Sequence, residues 1–257
     1  MITQISSATR FALLSFRRNS AATFFTIIFP LLFLVIFGFI FGDEIIEDEG
    51  VKVATYQVPG ILALALVSAT FVNLAMTAVI RREAGQLKRL RGTPVRPIVW
   101  VLGQIVAAFV IVVIMTVLVT VMGRLFFGVV FNFETVGVFA LTVLIGSAAF
   151  SALGLAITAL IPNENAASAI TNAIVLPLYF VSDVFLITDQ DGDGFIDRVG
   201  DYFPIKPLAH ALRSSYDPFL DGVEVPVTEW LVIAVWGAAG VVLASRFFRW
   251  TPAADRR

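Results

Sequence analysis

The chain has 257 residues, of which 58% are hydrophobic and only 14% are charged, and its mean hydropathy is +0.91. This balance lies far from that of a soluble domain and disfavours a water-exposed globule. The net charge of -1 gives no general basic surface for nucleic acid, and the absence of cysteine excludes disulfide-braced loops. The composition therefore predicts a membrane protein that does not bind nucleic acid.

Six apolar stretches are long enough to cross a membrane as helices, which takes about 20 residues for roughly 30 Å of hydrocarbon. We expect an all-α membrane protein in which residues 1–257 form a single transmembrane domain. The short link between the fourth and fifth stretches makes those two helices antiparallel neighbours, and Asn165 is placed to cap the second of them. The predicted spans are residues 24–41, 61–80, 99–122, 136–161, 166–187 and 230–248.

The charged residues divide unequally across these spans. Thirteen of the 18 basic residues fall on one side, and 16 of the 19 acidic residues fall on the other. Because Lys and Arg near the ends of a span resist translocation, the basic side is expected to be cytoplasmic, together with both termini. Arginine outnumbers lysine fifteen to three, which indicates a GC-rich bacterial genome. The sequence thus predicts a multi-pass protein of a bacterial or archaeal cell membrane.

Two segments outside the spans are predicted to have structure of their own. In residues 1–20, Ile5, Ala12 and Phe16 recur at helical spacing beside arginines, which is typical of a helix lying among lipid headgroups, although a frayed tail is the alternative. Residues 188–228 are about forty residues of acids, glycines and prolines mixed with apolar patches. We interpret this second segment as an external subdomain.

The connection between the second and third spans, residues 81–95, combines basic residues with a short apolar ridge. Leu87 and Leu90 are three residues apart and share a helical face with Ala84, so a short amphipathic helix is expected. Gly92 and Pro94 would end it. A simple cytoplasmic anchor would explain the charges but not a short helix with a defined end.

These residues resemble a known family. Glu83-x-Gly85-x-Leu87 followed by Thr93-Pro94 is similar to the coupling segment of type-2 ATP-binding-cassette (ABC) exporter permeases, usually Glu-x-Gly-Thr-Leu and then Thr-Pro. Gln86 departs from the family's usual Thr. Val58-Pro59-Gly60 also resembles the family's entry to the second span, and residues 202–213 resemble its external proline-containing segment. The resemblance extends over nearly the whole chain.

The resemblance implies a non-catalytic permease subunit that exports a hydrophobic or amphipathic substrate such as a drug, lipid or glycan. ATP would be bound and hydrolysed by a separate ABC ATPase, since this chain has no G-x-x-x-x-G-K-[ST] motif. A second permease copy or a paralogue would complete the pathway, and membrane lipid would surround it. Arg82 and Arg89 are expected to anchor the segment to lipid or to the ATPase. The predicted coupling residues are Arg82, Glu83, Gly85, Leu87, Arg89, Leu90 and Arg91.

An acidic stretch of the external segment follows the first nine positions of an EF-hand loop, with Gly194 at the turn. Position twelve is Gly200 instead of the usual bidentate Glu, and Asp201 comes one residue late. The stretch therefore predicts either a weak structural Ca²⁺ site or a solvated acidic loop. The candidate ligands are Asp189, Asp191, Asp193, Phe195, Asp197 and Asp201.

Asp183 is the only acidic residue inside a predicted span. An intramembrane charge is a candidate for substrate or partner contact, although this one lies near the outer end of its span, where it could reach the interface.

An ion-coupled secondary transporter or channel is the alternative function, and a membrane scaffold is a third. A coupled transporter needs charged groups at mid-membrane, and five of the six predicted spans contain no acidic residue.

Overall fold

The computed structural model describes residues 1–41, 44–46, 51–182, 200–216 and 222–252. They form an all-α bundle with one small antiparallel strand pair, β1 (Ile45–Ile46) with β2 (Val51–Lys52). π-helical turns at Phe24–Ile28 and Ser68–Val72 join α2 to α3 and α4 to α5, and a 3-10 turn at Phe133–Thr135 precedes α8. The helices are α1 Ile2–Arg18, α2 Ser20–Thr23, α3 Phe29–Phe41, α4 Val53–Val67, α5 Asn73–Glu83, α6 Gln86–Arg91, α7 Pro97–Phe127, α8 Val136–Ile157, α9 Glu164–Val181, α10 Ile205–Arg213 and α11 Val227–Phe247.

In the described part of the chain, five helical stretches are long and apolar enough to cross a membrane. They contain five of the six predicted spans or most of their residues, and they extend beyond the apolar runs because a helix continues into its polar ends. We number them span 1 to span 4 and the last span. They are Ser20–Phe41, Val53–Glu83, Pro97–Phe127, Phe133–Ile157 and Val227–Phe247.

The predicted span at residues 166–187 is represented by α9, which has 18 residues and is not among these five. Its polar residues Glu164, Asn165 and Asn172 lower its hydropathy, and residues 183–187 lie outside the described ranges. The six-span count therefore stays a prediction. The prediction that Asn165 caps this helix is wrong, because α9 begins earlier than expected. Asn163 is the cap instead, and its side-chain oxygen accepts a hydrogen bond from the backbone N–H of Ala166 (3.0 Å).

Span 2 is the centre of the bundle. Every residue from Val58 to Val67 is buried, because α4 is apolar on all sides and is covered by spans 1, 3 and 4 and by α10. The π-helical turn at Ser68–Val72 then faces span 4 at Gly154, where an added Cβ atom would lie 2.8 Å from the Phe71 carbonyl oxygen. The missing side chain lets the two backbones touch.

Small residues also join span 4 to the last span. A Cβ atom on Gly237 would lie 2.9 Å from the Cβ of Ala149, and one on Gly240 would lie 2.8 Å from the backbone nitrogen of Leu153. Helices that pack in a membrane gain from this close approach because lipid offers no hydrophobic drive for association. Spans 2, 4 and the last span therefore form one closely packed unit.

Residues 200–216, part of the predicted external segment 188–228, fold back onto the bundle end opposite the 81–95 connection. Leu208 on α10 is fully buried and lies over Gly146 of span 4. The Tyr216 hydroxyl hydrogen-bonds the Thr120 hydroxyl (2.6 Å), and burial raises the pKa of Tyr216 to about 12 even though that hydrogen bond acts in the opposite direction. The described part of the segment is thus packed against the spans.

Candidate coupling site

The 81–95 connection folds as a helix, a left-handed glycine and a second short helix. Span 2 ends at Glu83, and Gly85 has φ +70°, a conformation that only glycine adopts without strain. Helix α6 follows, and the Thr93 hydroxyl donates to the carbonyl of Leu90 (2.7 Å) at its end. Pro97 then opens α7 in the first turn, where its missing N–H has no helical partner to lose. The sharp turn holds α6 against the end of the bundle.

Leu87 lies on the inner face of α6 and is only 1% exposed. It packs in a cluster with Leu74, Ala78, Trp100 and Leu155, which belong to spans 2, 3 and 4. The apolar ridge expected on the surface of α6 therefore faces the bundle at Leu87. Leu87 is not a surface contact, because the apolar ends of three spans cover it, and its side chain fixes α6 to those spans.

Arg82 is also inside the protein, with 1% exposure, so it is not a surface anchor for lipid or ATPase as predicted. Its Nη1 donates to the carbonyl of Thr158 (2.9 Å), and its Nη2 donates to the carbonyls of Ile161 (2.7 Å) and Pro162 (3.5 Å). These carbonyls follow the end of span 4, where helical partners run out. The guanidinium thus clamps span 2 to the link between span 4 and α9.

Glu83 orients this clamp. Its Oε1 accepts from Arg82 Nε at 2.7 Å, and the carboxylate side chain is 15% exposed. The ion pair leaves both Nη groups of Arg82 free to face the carbonyls. Glu83 therefore lies near the surface, and its carboxylate is used to orient Arg82.

The exposed surface of α6 is cationic, with Arg89 opposite Leu87 and Arg91 at the end of the helix. Lys88, Arg89 and Arg91 are exposed, and Leu90 is half-buried behind them against the cluster that contains Leu87. Of the seven predicted coupling residues, the structure thus presents Arg89 and Arg91 outward and places Arg82 and Leu87 inside. One face of α6 is attached to the spans and the opposite face is available to a partner.

An apolar groove of about 470 Å³ lies beside α6, between it and α1. Phe11 of α1 covers one side, and its ring lies 5.0 Å from the guanidinium carbon of Arg81. Helix α1 itself packs on span 3, where a Cβ atom on Gly103 would lie 2.5 Å from that of Ala8. Both short helices therefore belong to the same end of the bundle.

Trp100 was not anticipated from the sequence. Its ring contacts Leu87 from span 3, and it also lies 6.2 Å from the ring of Trp250 and 6.4 Å from that of Phe248, which follow the last span. The sequence feature that could have identified it is a tryptophan one turn inside a span and next to an arginine-rich connection, since Trp is enriched at membrane interfaces. Trp100 connects α6 to the last span as well.

The other predicted site residues are only partly visible. Asp183 and five of the six candidate Ca²⁺ ligands lie outside the described ranges. Asp201 is described and its Oδ1 lies 2.9 Å from the Nζ of the buried Lys206. Within the described residues, no group of three or more His, Cys, Asp or Glu side chains could hold a metal ion. The Ca²⁺ site stays a prediction.

The family model described as ABC-2 type transporter matches residues 3–216 of the chain. This match covers the spans 1 to 4, the 81–95 connection and α10. The chain belongs to the ABC-2 type transporter family. This ABC-2 chain is accordingly a multi-pass membrane protein and the permease component of an ABC transporter. No curated protein matches this ABC-2 permease.

Proposed function

We propose that this chain is the permease subunit of an ABC exporter and that α6 is the element on which a separate ATPase subunit acts. The observation that supports this most is the division of α6 into two faces. Leu87 attaches one face to three spans, Arg89 exposes a positive charge on the opposite face, and Arg91 exposes a second one at the end of the helix. A helix built in this way passes a push on its outer face directly to the membrane spans.

The proposed route of the motion follows from the contacts of the 81–95 connection. ATP binding on the partner displaces α6, and the Leu87 cluster moves with it. Arg82 carries the same displacement to the link that joins span 4 to α9, through its three carbonyl contacts. Packed side chains and hydrogen bonds transmit such shifts because cores are stiff and not continuously deformable.

A second permease copy or a paralogue is proposed to cover α9. This helix packs on span 2 and α10 but leaves Ser168 and Asn172 exposed on its other side. Asn172 lies eight residues into α9, about 12 Å along a helix that rises 1.5 Å per residue. An amide facing hydrocarbon at that depth is costly, so a partner helix or a water-filled path between two permeases would offset that cost.

We propose that the exported cargo is hydrophobic or amphipathic, because an apolar cleft of about 530 Å³ lies between span 2, span 4, α9 and the last span. Phe71, Phe150 and Trp236 line it, and it lies within the size range of small-molecule sites. A drug, lipid or glycolipid would present the apolar surface that this cleft accepts.

The docking of α6 is tested by the double charge reversal Arg89→Glu with Arg91→Glu. A tagged chain is purified from its native membrane, and the ATP hydrolysis that co-purifies with it is measured. We expect this activity to be at least about tenfold lower in the double variant, since charges at an interface determine both the rate of association and the choice of partner. Arg124→Glu is the control, because Arg124 is exposed at the opposite end of span 3. Equal activity in both variants contradicts the proposal.

A further inference from the structure

A small polar cavity lies between α1, span 2 and span 3, apart from the face of α6 proposed to meet the ATPase. Its volume is about 80 Å³, well above the roughly 15 Å³ that one water needs. No carboxylate occurs among the described residues that line it. The polar lining consists of Ser15, Asn19, Asn73, Thr77, Arg81 and Gln104.

Two of these side chains present donors that nothing in the described chain accepts. Arg81 is 6% exposed, and no carboxylate of the described ranges forms an ion pair with its guanidinium, which contacts the Phe11 ring. Gln104 is 7% exposed, and its Nε2 has no hydrogen-bond partner among the described residues. Water could satisfy the hydrogen bonds, but holding a positive charge largely away from water is costly without a counter-charge.

We propose that this cavity binds a phosphate oxyanion, held by the guanidinium of Arg81 and the amide of Gln104. The planar guanidinium presents paired N–H donors that match phosphate oxygens, and the Gln104 amide adds two more. The hydroxyls of Ser15 and Thr77 line the same cavity and can donate as well. The site is therefore rich in donors and carries one net positive charge.

The position of the cavity favours a phospholipid headgroup as the source of the phosphate. It lies where α1 meets span 1, and Arg17 and Arg18, in the last turn of α1, come directly before the lining residue Asn19 in the sequence. Basic pockets between membrane helices at the cytoplasmic surface are suited to anionic headgroups. The choice of a phospholipid headgroup rests on the proposed function in one respect only, namely that the 81–95 end of the bundle is cytoplasmic.

The test uses the purified full-length chain in neutral detergent, with lipid binding followed by native mass spectrometry and thermal unfolding. The probes are phosphatidylglycerol, diacylglycerol with the same acyl chains, and inorganic phosphate. We expect phosphatidylglycerol to bind and to raise the unfolding midpoint, and diacylglycerol to do neither. Arg81→Gln and Gln104→Leu should each weaken phosphatidylglycerol binding at least about tenfold, because hydrogen bonds to a charged group are lost.

The control is Arg96→Gln, which removes one exposed positive charge at the same end of the bundle. Gln104→Leu keeps the test decisive if Arg81→Gln does not fold, since it replaces an unpartnered amide with an apolar side chain of similar size. Stabilisation by millimolar inorganic phosphate, lost in the same two variants, supports the site and assigns it to a soluble phosphoryl group. Equal phosphatidylglycerol affinity in wild type, both variants and the control overturns the proposal.

This binding is measured without an ATPase and without transport. A chain that binds phosphatidylglycerol normally but carries no co-purifying ATP hydrolysis would count against the proposed function and leave the phosphate site standing. The opposite result would remove the phosphate site alone.

Discussion

Replacing Arg82 with alanine is expected to lower the free energy of unfolding by about 3–5 kcal/mol, the range for removing one partner of a buried ionic group. The carbonyls of Thr158 and Ile161 would lose their donor, and Glu83 would lose the partner that Oε1 contacts. Each buried group left unsatisfied costs about 1–3 kcal/mol. Unfolding of the purified chain in detergent, followed by heat or denaturant, measures the loss.

Arg89→Ala is the matched control for this substitution, since Arg89 is an exposed arginine one helix further along the same connection. Its effect on the free energy of unfolding should stay within about 0.5 kcal/mol, as is usual for surface changes. Arg82→Lys should recover part of the loss, because an ammonium can donate to one or two of the carbonyls but not in the fork geometry of guanidinium. If Arg82→Ala and Arg89→Ala have equal effects, the clamp does not exist in solution.

Replacing Leu87 with alanine is expected to cost about 2–5 kcal/mol and to free α6 from the bundle. The side chain fills a cluster formed by the ends of three spans, so its removal leaves a cavity that the rigid helices cannot close. Hydrogen exchange measured by mass spectrometry should show lower protection of the backbone amides of residues 86–91. Exchange in the centre of span 2 should not change.

Leu90→Ala is the control here, because Leu90 is on the same short helix but only half-buried. It should reduce protection of the same amides much less. Similar exchange in the two variants would mean that the inner face of α6 is not what fixes it to the spans. The two pairs of substitutions together test whether α6 is rigidly attached, as transmission of a push requires.

The family and most of the membrane architecture were readable from the sequence, because both depend on local patterns. Apolar runs of about 20 residues identify spans whatever they pack against. The Glu-x-Gly-x-Leu and Thr-Pro residues lie within one connection, and Gly85 and Thr93 have local backbone roles that the sequence order already contains. The resemblance based on them was confirmed by the family match.

The roles of Arg82 and Leu87 could not be predicted in the same way. The carbonyls that Arg82 contacts belong to residues 158–162, almost eighty positions later, and carbonyl groups leave no mark in a sequence. Leu87 is buried by residues from three different spans, so its environment is known only once those spans are assembled. A basic residue near the end of a span has the same local pattern whether it faces lipid or a neighbouring helix end.

Asn163 and α9 show a second limit. Helix ends depend on one hydrogen bond, and two asparagines two residues apart are equally good caps by composition. The polar residues of α9 also make its hydropathy ambiguous. Such a helix is expected where two permease subunits meet, because a surface that contacts protein or water need not be as apolar as one that contacts lipid.

Coupling to an ATPase requires the 81–95 connection to face the cytoplasm, and the orientation of this chain can be measured directly because the chain has no cysteine. Arg96→Cys and Val223→Cys place single thiols on exposed positions at the two ends of the bundle, and Arg96 lies outside the residues proposed to meet the ATPase. With a membrane-impermeant maleimide, we expect intact cells to label Val223→Cys only and inside-out vesicles to label Arg96→Cys only. Labelling of Arg96→Cys from outside intact cells would contradict the proposed coupling.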